Sequence, residues 1–550
     1  MFVKLMVLGV YAGVLFGVGW WARSKWSASP QNYFLADRGL GPFVFLATMA
    51  ATNFSAFTVF GASGAGYRDG YAFYPIVGFG TGFMALTFWF IGRKARELAL
   101  EHGAVTPPGL VRAVYGSRFL SSLFAAVLIV FTLPYLALQP IAAGYALKEL
   151  LGWPHFVGAA AVTGIICLYT LRGGLKAVAW TDVFQGLLMF FVLILALVLT
   201  AGKVGGLAEA GQKLMAEAPQ LFSRPGGEGK YLPPVWFSFM FLWFFCDPMF
   251  PQLFQRFMAA NDDRTIRRTM LAYPFICSAV FLPPVTLGVL GRLSHPGLTG
   301  KAADGILPLV AADMNNPVLG ALIVVCGLAA LMSTMDSQLL TLSSIFSQDI
   351  YPLAGGKHAE SAWPGRVFVI LLSCVGLALA VNPPGTILSI ASQAFTGLAV
   401  LFPTVLFGLY PGWKSTSGAI TSIIAGQVGV ALDLLGLLPT GGFMAVVPIM
   451  GLSFGAYILV SWGEGARARL GRSGAGVGAF IKSPYTWGFL LILALAQDWW
   501  RWGAETELVL GYPVWLLHFL FLSAAQTWLM ARWTRAVASG KIHGDNSDRA

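Results

Sequence analysis

The stretch LAALMSTMDSQLLTLSSIFSQDIY, residues 328–351, decides how the rest of the chain is read. It lies inside a long apolar run, yet it carries Ser333, Thr334, Asp336, Ser337, Thr341, Ser343 and Ser344. At about 100° per residue, Ser333, Asp336, Ser337, Thr341 and Ser344 fall on one side of a helix. A carboxylate inside a membrane helix is costly and normally faces a polar cavity or a partner. Hydroxyls alone would read as hydrogen bonds between helices. With a carboxylate among them, the cluster reads as an ion site.

The composition sets the surroundings. Of 550 residues, 57% are hydrophobic and 11% are charged, with a mean hydropathy of +0.72. This is an integral membrane composition. The largest polar insert, Lys203 to Leu232, is too short for an ordinary domain. The net charge of +11 is carried in short loops between apolar runs, so it reports topology rather than nucleic-acid binding. Cys167, Cys246, Cys277, Cys326 and Cys374 all lie in apolar stretches without a CxxC pair; neither a disulfide framework nor a zinc site is indicated. The six histidines form no metal-ligand spacing. No nucleophile–base constellation is visible, so the chain is not read as an enzyme.

The first apolar run is Phe2 to Trp21. Lys4 and the sequence Ser27-Ala28-Ser29 would suit a signal peptide, but the length and the flanking Trp20, Trp21, Arg23 and Lys25 suit a retained span with an interfacial anchor. Further runs lie near 42–66, 71–92, 119–147, 156–171, 178–202, 232–255, 271–291, 316–348, 367–382, 385–409, 417–436, 443–462, 486–500 and 510–531. That predicts about 15 transmembrane helices. With the N-terminus outside, alternation places 25 Lys and Arg inward and 10 outward, which favours a cytoplasmic C-terminus. Residues 532–550 form a short polar tail, expected to be mobile.

Two runs look broken. The second carries Asn53, Ser55, Thr58, Gly61, Ser63 and Gly64; the seventh contains Asp247-Pro248 and then Pro251. Interrupted helices in matching positions of two halves point to a transporter's central site. They are five runs apart, which predicts two five-helix repeats of opposite topology, runs 2–6 and 7–11. The acids within runs are Asp182, Asp247, Asp336 and Asp433. Asp433 lies near an outer end. Asp182 is placed one turn into its helix, where the dipole would favour it. Asp336 is the deepest.

Four segments carry a family resemblance: LGPFVFLATMAATNFSAF, GGLKAVAWTDVFQG at 173–186, PQLFQRFMAA at 251–260 and LMSTMDSQLLTLSSIFSQDIY at 331–351. Together they resemble the sodium:solute symporter family, over roughly residues 33–462, with a weaker match at 391–409. The resemblance implies an all-α leucine-transporter-type five-plus-five inverted repeat with extra helices at both ends. The implied organisation is an extra helix at 1–30 and a core at 33–462, holding repeats at about 42–202 and 232–409 plus two further helices. Extra helices follow at 463–531 and a cytoplasmic tail at 532–550. It also implies a main sodium site made from the carbonyls of Ala51, Phe54 and Ala330 and the hydroxyls of Ser333 and Thr334. Neutral oxygens suit a hard cation that must also leave. Asp182, Asp336 and Ser337 fall where some members hold a second sodium; extra charge at Asp336 could instead hold a proton. Substrate candidates are Asn53, Ser55, Thr58, Gln139, Asp247 and Gln393. Asp247 departs from the aromatic or small residue familiar in the family at its place. It could bind an amine, hold a proton or cap the broken helix, and no intramembrane Arg stands ready for a carboxylate.

The expected function is sodium-coupled import of a small organic solute by alternating access in a bacterial inner membrane. The solute is a carboxylate by general likeness, with an amino acid or vitamin open. Sodium ions, the solute and the lipid bilayer are the implied partners, and nucleic acid is not. The rival readings are a proton-coupled symporter, acting through Asp336 or Asp182, and a transporter-like sensor or transceptor.

Overall fold

The computed structural model describes residues 1–22, 29–355, 363–410, 412, 414–466, 483–504 and 506–539. The main helices are α1 (Phe2–Ala22), α2 (Pro42–Asn53), α3 (Phe57–Ala72), α4 (Pro75–Glu101), α5 (Arg118–Leu151), α6 (His155–Thr170) and α7 (Gly173–Lys203). They continue with α8 (Pro233–Met249), α9 (Pro251–Ala259), α10 (Asp263–Ser294), α11 (Pro317–Leu353), α12 (Trp363–Val381), α13 (Ile387–Leu409), α14 (Thr416–Leu434) and α15 (Val446–Glu464). Last come α16 (Pro484–Leu495) and α17 (Leu516–Ala538).

Each of the 15 expected runs contains a helix, but they do not all qualify as spans. Ten described helices are long and apolar enough to cross a membrane, or up to twelve if the two bent pairs count as one span each. The α6 helix is short. The run at 486–500 stops early, because α16 ends at Leu495 after 12 residues. The run at 510–531 starts late: Leu508–Val509 (β1) and Tyr512–Pro513 (β2) pair as a hairpin before α17 begins. The expected tail is helical to Ala538, and residues 540–550 lie outside the described residues, as do Arg23, Lys25 and the 467–482 loop.

Both anticipated breaks are present. The α2 and α3 segments meet at 59° and α8 and α9 at 54°. The second break has a local cause: Pro251 disfavours helix at the residue before it, and Phe250 is accordingly extended (φ −58°, ψ 122°). The first has no proline. There Phe54 leaves the helix (φ −85°, ψ 91°), and the Ala56 N–H finds its partner on α5, donating to Gln139 Oε1 at 3.1 Å. A tertiary contact thus caps the second half.

One end of the two broken helices is knitted together by backbone. Leu40 N–H donates to the Ala259 carbonyl and Asn261 N–H to the Leu40 carbonyl, both at 3.3 Å. The buried Arg38 guanidinium donates to the carbonyls of Met258, Ala99 and Ala104. The next helix, α10, is started by Asp262, whose carboxylate accepts the Thr265 N–H at 2.7 Å. The Thr265 hydroxyl and N–H hold the Asp262 carboxyl below the usual range. At the other end, α3 and α10 approach closely: a Cβ on Gly288 would stand 2.0 Å from the Ser63 carbonyl oxygen.

Candidate functional site

The first break leaves carbonyls at the end of α2 without helical partners. Those of Ala51 and Thr52 are met by α11. Ser333 Oγ donates to the Ala51 carbonyl at 2.9 Å and lies 3.0 Å from the Ala330 carbonyl. Thr334 Oγ1 donates to the Thr52 carbonyl at 2.9 Å and lies 3.3 Å from that of Ala330. Ser333 and Thr334 are buried. Three carbonyls and two hydroxyls therefore converge where α2 ends against α11. This is a neutral oxygen set that suits an alkali cation, since a hydroxyl can rotate to present a lone pair. Ala51, Ala330, Ser333 and Thr334 are brought together as expected. Thr52 is an addition that the sequence reading lacks. Phe54 sits at the break itself, its ring stacked on Tyr273 at 6.1 Å between centroids. No group of three or more His, Cys, Asp or Glu suited to holding a metal occurs among the described residues.

One turn further along α11 lies a second polar cluster, and it differs from expectation. The α7 helix begins at Gly173 rather than near 178, so Asp182 is nine residues into it and beyond reach of its N-terminal dipole. Its Oδ2 accepts hydrogen bonds from Thr48 Oγ1 (2.5 Å), Thr52 Oγ1 (3.0 Å) and Arg256 Nη2 (2.8 Å). Arg256 Nη2 also donates to Ser337 Oγ at 2.7 Å, Nε to Thr48 Oγ1 at 2.8 Å and Nη1 to the Gln252 carbonyl at 3.0 Å. Asp336 Oδ2 accepts from the Tyr169 hydroxyl at 2.9 Å, and Ser337 Oγ lies 3.2 Å from its Oδ1. Asp182, Ser337 and Asp336 are thus adjacent, as expected, but a guanidinium already stands among them. Alternation of the apolar runs puts Arg256 in the loop after the seventh run. It is fully buried on α9, which lowers the inward count to 24; its guanidinium is engaged by Asp182 and so does not stand ready for a solute carboxylate. Its signal is in the sequence: it follows Leu253, Phe254 and Gln255 and precedes Phe257 and Met258, with no charge until Asp262. Thr52 joins the two clusters, its carbonyl on Thr334 and its hydroxyl on Asp182.

The substrate candidates divide. Asn53 Nδ2 donates to the Tyr273 hydroxyl at 2.7 Å, and its amide faces the Asp247 carboxylate. Ser55 lies beside Tyr135. Gln139 holds the break through Ala56. Thr58 is buried with a hydroxyl that has no partner. Gln393 does not belong to this group, because it is exposed. The buried stripe of α13 is Ile387, Leu388, Ile390, Ala391, Ala394 and Phe395, and at about 100° per residue Gln393 falls opposite it.

A sequence profile described as the sodium:solute symporter family matches residues 33–426. The chain belongs to the sodium:solute symporter family. Among curated relatives, the symporter is 28% identical to the sodium/proline symporter of Escherichia coli, over 76% of this chain and 85% of that one. It is 28% identical to the sodium/pantothenate symporter of Haemophilus influenzae (77% and 88%) and 29% to a high-affinity proline transporter of Bacillus subtilis (76% and 89%). Its fold matches a sodium-coupled sialic acid symporter solved in a substrate-bound outward-open state, at TM-score 0.68 and 18% identity over 84% of this chain and 98% of that one. It also matches Mhp1, a nucleobase-cation-symport-1 family transporter, at TM-score 0.55 and 14% identity over 79% and 94%. The leucine-transporter-type fold is thereby established. The symporter is a multi-pass membrane transporter and not an enzyme.

Proposed function

We propose that this symporter imports a small organic solute with one sodium ion held between α2 and α11. The ligands are the carbonyls of Ala51, Thr52 and Ala330, the hydroxyls of Ser333 and Thr334, and the Phe54 carbonyl at the break. The observation that carries the reading is the pairing of α2's end carbonyls with the α11 hydroxyls at 2.9 Å. A sodium ion seated there would join the first helix of one repeat to the third of the other. It would favour one face of the alternating cycle until solute binding permits closure. Each sodium moving down a 100 mV potential contributes about 2.3 kcal/mol.

Arg256 bears on the stoichiometry. With its guanidinium on Asp182 and Ser337, the place of a second cation is taken by the chain itself, which favours one sodium per cycle. Counted over 15 crossings, with α16 as the fourteenth, the loop charges are 24 inward against 10 outward and favour the N-terminus outside and the C-terminus in the cytoplasm. Proline and pantothenate, carried by the named relatives, make an amino acid or a vitamin-like acid the first solutes to try.

The test is solute accumulation by proteoliposomes under an imposed sodium gradient. Ser333→Ala combined with Thr334→Ala is expected to abolish sodium-driven uptake. Uptake by that variant at wild-type sodium affinity would count against the site. Uptake driven by a pH jump in sodium-free vesicles would favour proton coupling through Asp336.

A further inference from the structure

The second break holds a carboxylate that sodium coupling does not use. Asp247 follows Cys246, where the α-helical part of α8 ends, and is 2% exposed. The Asn53 amide faces its carboxylate, the Phe250 N–H donates to its backbone carbonyl at 3.2 Å, and Tyr135, Tyr273, Cys246 and Cys277 lie within its electrostatic reach. Other buried acids of the chain are supplied with cations: Asp182 with Arg256, Asp304 with Arg68, Asp498 with Arg224, Asp69 with Lys230. Asp336 lies within the field of Arg256 and Asp349 within that of Arg112. Among the described residues, no Lys, Arg or His pairs with Asp247. A buried carboxylate without a cation is costly, and a cationic ligand supplies what the chain withholds.

The surroundings suit such a ligand. Tyr135 from α5, Phe250 from the break and Phe395 from α13 form a tight trio of rings, with centroids 4.8–5.1 Å apart. Trp243 extends the cluster, 5.8 Å from Phe395, and its buried indole N–H has no partner. Aromatic rings attract a cation electrostatically, more so when water is excluded. We propose that the central site recognises a solute by a cationic nitrogen, an amine or quaternary ammonium, which pairs with Asp247 beside the Tyr135, Phe250 and Phe395 rings. This deepens the symporter reading and rests on it. It sets the amine, rather than a carboxylate, as the group that the solute must carry.

The test is the melting midpoint of the purified full chain in saturating sodium, with matched probes. Choline is compared with 3,3-dimethylbutan-1-ol, and L-proline with cyclopentanecarboxylate, each pair differing in the charged nitrogen. At least one nitrogen-bearing probe is expected to stabilise the protein, with an apparent Kd at least about tenfold tighter than its partner's. Asp247→Asn, checked as folded by its elution profile, is expected to lose that shift. The proposal is overturned if neither nitrogen-bearing probe shifts the midpoint, if the isosteres do as well, or if the variant keeps the full shift. The wild-type comparison stands even where the variant does not fold. Failure of the underlying symporter reading looks different: sodium alone would then leave the wild-type midpoint unmoved.

Discussion

At the residue scale, the site depends on who satisfies whom. Ser333 and Thr334 occupy carbonyls that the break in α2 exposes, and Arg256 occupies a carboxylate that burial would otherwise leave bare. Removing one member of a buried ion pair costs about 3–5 kcal/mol, whereas removing both costs far less. Arg256→Ala is therefore expected to lower the melting midpoint in detergent markedly, and Arg256→Gln combined with Asp182→Asn to recover most of it. A double variant whose loss equals the sum of the two single losses would show that the pair is not coupled. The hydroxyls of Ser333 and Thr334 are legible in the sequence because polar side chains in an apolar run stand out. The carbonyl ligands are not, since every residue carries one and only the break selects which are free. Thr48 and Thr52 stay silent for a related reason: a threonine in a membrane helix is ordinary until an acid from another helix reaches it. Arg256 is hidden by its short helix, because nine residues after a proline are easily read as the beginning of a loop.

At the element scale, the two broken helices place everything else. Pro251 announces the second break, whereas the first depends on Gln139 from a distant helix, so its location was legible and its cause was not. The helix that follows, α10, carries a titratable cap. Asp262 is held below its ordinary value of 3.8 by Thr265. Its contribution is therefore full above that ordinary value and is lost as pH falls through the lower folded value. Asp262→Asn is expected to flatten the acid side of the stability profile, read as melting midpoint against pH, and to leave neutral pH little changed; an unaltered acid limb would contradict the cap. Gln393 makes the converse point about helices. Its polarity marks it as a site candidate, but the apolar periodicity of α13 assigns it to the opposite face.

At the scale of the whole molecule, the segments after α15 were the least legible, and the structure gives them an attachment. Arg224, in the polar insert, makes a bidentate pair with Asp498 at 2.6–2.9 Å, both fully buried. Four rings, from Trp236, Trp502, Trp515 and Phe519, stand 4.8–5.9 Å from the guanidinium carbon. Trp515 Nε1 donates to the Phe222 carbonyl at 2.9 Å. The insert and the C-terminal region thus lock to each other by a pair some 270 residues apart in sequence, which no local pattern could reveal. Asp498→Ala is expected to strand the guanidinium and destabilise the protein by about 3–5 kcal/mol, seen as early proteolysis of the C-terminal region. Unchanged protease resistance would mean that the pair is not what holds it.

Sodium coupling here requires a cation held by uncharged oxygens where the end of α2 meets α11, and equilibrium binding of radioactive sodium to the purified symporter tests this most directly. The prediction is one sodium bound per chain, with binding abolished by Ser333→Ala plus Thr334→Ala and the fold preserved. Sodium binding of unchanged affinity and number in that variant would contradict it.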